Sequence, residues 1–203
     1  GHSEPFSGGA VSLTSGEGST DTSGAVVIKT MNAGTSGVSG MLSFTSGTAS
    51  SGTSGHFNLF TGSATNGKGG DFLLSVGSGT KYDGGHIEMT AGLSTAAAGG
   101  TGGAVSISTG EGEASSSGAV IVKTLNAGAS GVSGTLSFTS GTTSNGGSGR
   151  IRLATGSATN GEGGDIIVSV GKSKTDAGGD VWVTAGHSEP FSGGAVSLTS
   201  GEG

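Results

Sequence analysis

The chain has 203 residues, of which 47 are Gly and none is Cys, with a formal net charge of −6. Only 11% of residues are charged, and the eight Lys and Arg form no basic cluster, so the electrostatic footprint of a nucleic-acid binder is missing. Lack of Cys excludes a disulfide framework and thiolate metal sites. Gly this abundant without a three-residue period excludes collagen, and no apolar run reaches the ~18 residues of a membrane helix.

Repetition dominates the chain from its first residues. Gly1 to Gly18 reads GHSEPFSGGAVSLTSGEG, and residues 186–203 restart that sequence letter for letter, a period of 185 residues. One window of a longer tandem array is the expectation. A shorter unit of about 15 residues lies inside this period: Gly, an outward residue, an apolar residue, a variable one, a second apolar residue, another variable one, a small residue and Gly. The first apolar positions are Val11, Val26, Leu42, Phe57, Phe72 and Ile87, then Val105, Val120, Leu136, Ile151, Ile166, Val181 and Val196. The second follow two residues later, from Leu13, Ile28 and Phe44 through to Val183 and Leu198.

Alternation with a period of two, bounded by Gly, predicts short half-buried strands. β-branched and aromatic residues suit those sites. One such strand cannot cover its own apolar face, so stacking of successive units predicts an all-β fold: a parallel β-solenoid, or β-helix, of about 15-residue repeats. In this reading residues 1–203 are one continuous solenoid segment without helices. Twelve units fill each 185 residues, in six-unit super-repeats at about 11–104 and 105–195. Gly and the Asn-Gly pairs at Asn66, Asn145 and Asn160 are expected to supply positive φ at the corners. The 16-residue spacing between Val26 and Leu42, and again between Val120 and Leu136, predicts a bulge or a longer turn. Ala96 to Thr101, where the super-repeats differ in length, reads as a loop.

Stacking in register would set Asp71 between His56 and His86, and Arg150 beside Asp165. Asp165 and Asp180 would then be like charges in adjacent units, a weak candidate for a Ca²⁺ site. The predominant expectation is that they are solvated turn residues, and no metal or other cofactor is assigned. His2 with Glu4, repeated as His187 with Glu189, falls far short of a metal or catalytic signature. There is no nucleophile elbow and no phosphate loop, and the acids are too spread out for a polysaccharide-cleaving groove, so an enzyme is not expected. Arg152, Ile167 and Trp182 would share one outward column and are the candidates for lateral contact along a fibre.

The repeat pattern Gly-x-apolar-x-apolar-x-small-Gly resembles the Gly/Ser/Thr-rich tandem repeats of large secreted and cell-surface fibre proteins of algae, other protists and bacteria. The resemblance covers the whole chain and implies an architecture and an extracellular or cell-surface setting, with no functional residue carried over. It implies a structural filament whose partners are copies of itself or further repeats of the same chain, end to end and laterally. Two other readings follow from the pattern. Thr-rich 15-residue solenoids resemble insect antifreeze proteins, which suggests ice binding. Against it, Lys29, Phe60 and Trp182 interrupt any flat Thr face. An adhesin or carbohydrate-binding stalk would differ from the filament only in having a ligand.

Overall fold

The computed structural model describes residues 8–97, 99–189 and 191–201. The chain falls into two units, Gly1–Ala104 and Val105–Gly203. Each is a succession of unbent limbs of about seven residues joined by loops that carry the bends. In the first unit the bends lie at 19–21, 35–37, 50–52, 65–67, 80–82 and around Ala97 and Gly99. In the second they lie at 113–115, 129–130, 144–146, 159–161, 174–176 and around Glu189 and Phe191. They recur at the sequence period and fall between the apolar pairs of successive repeats.

Among the described residues there is no helix and no β-strand. The β-solenoid expected from the alternation is therefore incorrect, and so is a defined all-β fold. The reason lies at the necks, where each loop closes. Across each neck the residue that ends one limb lies beside a Gly near the start of the next. Ser15 meets Gly24, Ser46 meets Gly55 and Thr61 meets Gly70 in the first unit; Thr109 meets Gly118 and Ser140 meets Gly149 in the second. The Phe44 and Phe57 rings, two residues out on either side of the Ser46–Gly55 neck, have centroids 6.4 Å apart. The chain has doubled back, so consecutive limbs meet antiparallel. Parallel stacking would need a crossover of a dozen or more residues, whereas antiparallel segments can be joined by a short loop. Eight residues lie between Ser46 and Gly55, and the reversed order of the Ser46–Gly55 and Phe44–Phe57 pairs shows the second arrangement.

Doubling back does not grow into a sheet. Four necks carry one backbone hydrogen bond each: Gly24 N–H to Gly16 O (3.0 Å), Gly103 to Gly92 (2.9 Å), Gly118 to Gly110 (3.1 Å) and Gly194 to Gly186 (2.8 Å). These are the first and last necks of each six-repeat set. No ladder continues along the limbs among the described residues. Two apolar side chains per repeat bury too little to repay the ordering of fifteen Gly-rich residues.

Surface area makes the same point. The chain exposes 20280 Å² for 18.9 kDa. A compact protein of that mass exposes about 8,300 Å², and the fully extended chain about 27,000 Å². No hydrophobic residue is buried among the described residues.

The role of Gly differs from expectation as well. Positive φ occurs at three positions, Gly52 (102°), Gly99 (79°) and Gly146 (120°), and at no other residue type among those described. Gly52 and Gly146 occupy the same bend of the two six-repeat sets. Of the three Asn-Gly pairs, only Asn145-Gly146 has its Gly in this region. The neck Gly serve close approach instead. A Cβ on Gly118 would lie 3.3 Å from the Thr109 Cβ, and one on Gly179 3.0 Å from a Val170 methyl. The extra residue of the 16-residue repeats sits in a longer loop, since Thr30 meets Gly40 and Thr124 meets Gly134 ten residues on.

Candidate functional site

Two surfaces are built by this arrangement: a row of partly shielded apolar side chains on the limbs, and a set of polar bends. The first apolar positions from Val26 to Val196 are 49–62% exposed. Outward apolar residues such as Val27, Leu73, Ile121 and Trp182 are 76–86% exposed. Period-two alternation is thus real, but as a half-shielded face rather than a core. Shielding comes from across the neck. Val11, with no described limb before it, is 96% exposed, and Leu198, with none after it, is 90% exposed. The register that brings Phe44 to Phe57 places Leu13 across from Val26, and in the second unit Phe138 across from Ile151. The second apolar residue of one limb therefore faces the first of the next, whereas stacked parallel repeats would face like positions.

The polar bends are organised locally. Lys68 Nζ lies 2.8 Å from both carboxylate oxygens of Asp71, an exposed pair on the exit of the 65–67 bend. Sequence reasoning offered His56 and His86 as the partners of Asp71; its partner is Lys68, three residues back in the same loop. The signal was present as a Lys–x–x–Asp spacing across a bend. In the matching bend of the second unit Lys68 is replaced by Glu162, ahead of Asp165, so no ion pair can form there. Lys81 Nζ sits 5.5 Å from the centroid of the Tyr82 ring. His187 Nε2 lies 3.3 Å from Glu189 Oε1, both exposed. The equivalent His2 and Glu4 fall outside the described residues.

The candidates named from sequence all lie at the surface. Asp165 and Asp180 are exposed, each at the start of its own limb, and no group of three carboxylate or imidazole side chains able to hold a metal occurs among the described residues. Arg152, Ile167 and Trp182 are exposed on three successive limbs. The register of the Thr155–Gly164 and Val170–Gly179 necks sets Arg152 across from Ile167 and Ile167 across from Trp182, each at the middle position between the two apolar residues of its limb. Among the described residues no helix is long and apolar enough to cross a membrane. Set against family models, curated proteins and solved structures, the chain matches none of them.

Proposed function

We propose that this chain is a repeat segment of a long structural filament or surface fibre, extracellular or at the cell surface, whose partners are further copies of the same repeats. The observation that supports it is the apolar row. Every fifteen residues or so, two apolar side chains are set on one face of a limb, and the chain itself covers only about half of the first of each pair. The exposed area exceeds that of a compact protein by about 12,000 Å², against about 1,600 Å² for a standard protein–protein interface. A partner that covers it must be as long and as periodic as the chain. Another copy, with its own apolar pair at the same spacing, meets that requirement, and a small globular partner does not. Arg152, Ile167 and Trp182 are available for lateral contact between such copies. In this role the protein is a mechanical element and not a catalyst.

The test is assembly of one, two and four tandem 185-residue copies, followed by sedimentation and electron microscopy. Filaments whose formation steepens with copy number are expected, with loss of assembly when Leu42, Phe44, Phe57 and Leu59 are all changed to Ser. A chain that stays monomeric at every copy number and concentration overturns the reading.

A further inference from the structure

We propose that Asn66, Asn145 and Asn160 are sites of spontaneous backbone modification, through succinimide formation with the following Gly. Each lies within a bend, at 65–67, 144–146 and 159–161, and each is exposed. Each is followed by Gly, so no Cβ hinders approach of the next amide nitrogen to the Asn side chain. Among the described residues the amides of Gly67, Gly146 and Gly161 donate no hydrogen bond, so nothing holds those nitrogens away. At Asn145 the Thr143 hydroxyl donates to the backbone carbonyl (3.3 Å), which draws electron density from the peptide bond to Gly146 and makes its N–H more acidic.

The chemistry needs only water. The Gly nitrogen gives up its proton and bonds to the Asn side-chain carbon, whose bond to the amide nitrogen breaks, releasing ammonia. Water then adds to either carbonyl of the five-membered ring. Opening on one side gives Asp, and opening on the other gives isoaspartate, with the chain rerouted through the side-chain carbon. Three conversions take the formal net charge from −6 to −9. Isoaspartate also lengthens the main chain inside a bend.

The two SATNG bends supply an internal comparison. Lys68 and Asp71 follow Asn66 and cancel one another, whereas Glu162 and Asp165 follow Asn160 with a charge of −2. Negative charge beside the Gly nitrogen opposes its deprotonation, so Asn66 converts ahead of Asn160.

The experiment incubates the whole chain in mildly alkaline ¹⁸O water and follows each Asn by peptide mass spectrometry. Expected are ¹⁸O incorporation and mixed Asp and isoaspartate at the three sites, with Asn32, Asn58 and Asn126 unchanged. Gly67→Ala and Gly161→Ala should slow their own sites several-fold. Both are tolerated by the bend, since the added methyl would meet only the Ala64 Cβ at 3.9 Å in the first case and open space in the second. Retention of all three amides while a free Ser63–Gly69 peptide converts would overturn the proposal, as would equal conversion at Asn32, Asn58 and Asn126. Lys68→Glu should bring Asn66 down to the rate of Asn160; if the two rates already match in the parent chain, the charge argument fails.

Discussion

The bend at 80–82 and its counterpart at 174–176 occupy the same place in the two units but are closed by different means. In the first, Gly79 lets the chain fold so tightly that a Cβ on it would run into the carbonyl oxygens of Tyr82 and Asp83. In the second, Ser173 stands at that position, and its Oγ accepts a hydrogen bond from Asp176 N–H (3.1 Å). The Asp176 carboxylate in turn accepts from Ala177 N–H (2.8 Å). One bend is closed by the absence of a side chain and the other by its presence. A repeat can therefore keep its outline while its local chemistry drifts, provided each replacement restores one closing interaction. The 19–21 and 113–115 bends offer the contrast, because Gly18 and Gly112 both keep the close approach of loop carbonyls.

This comparison can be broken most forcefully by Gly79→Ser, which moves the second unit's residue into the first. The new Cβ meets backbone oxygen, so the bend must open. Amide chemical shifts should change from Thr80 through Gly85, and unchanged shifts would mean that the close approach is not formed in solution. The reverse exchange, Ser173→Gly, removes one exposed hydrogen bond and no packing. Its effect should be smaller and confined to residues 173–177, read as faster exchange of the Asp176 amide. Smallest of all is Lys81→Gln, which deletes an exposed cation near the Tyr82 ring. It should shift the Tyr82 ring resonances and leave the backbone amides of the bend alone; a change across the whole bend would show that Lys81 helps to close it.

Much of this architecture was legible in the sequence, and one decisive element was not. The period, the placement of loops between apolar pairs and the two-residue alternation all follow from where Gly and the apolar residues recur. The direction of the limbs does not. Each limb carries two apolar residues, so Leu42 facing Phe57 in parallel and Phe44 facing Phe57 in antiparallel both set apolar against apolar. Hydrophobic pattern alone is indifferent between them, and a fifteen-residue unit is long enough for either. From the wrong direction came the wrong partners for Asp71, whereas Arg152, Ile167 and Trp182, each midway between two apolar residues, stand opposite one another in either direction. Lys68 was overlooked because stacking drew attention to residues fifteen apart, when the ion pair spans three. The sequence suggests Gly as a corner residue, whereas a Cβ at Gly118 or Gly179 would crowd the facing Thr109 or Val170 side chain at 3.3 and 3.0 Å.

The single backbone bond at a neck such as Gly16–Gly24 also has a mechanical meaning. Between those residues the chain folds away a loop that, drawn straight, would span about 27 Å. A pull along the chain loads that one bond, and its rupture releases roughly 20–25 Å of slack at once. The bonded necks stand at the two ends of each six-repeat set, with unbonded ones between them. Tension would straighten the inner loops first and the end loops last, so each set would lengthen in two stages and take up its slack again when the load is removed.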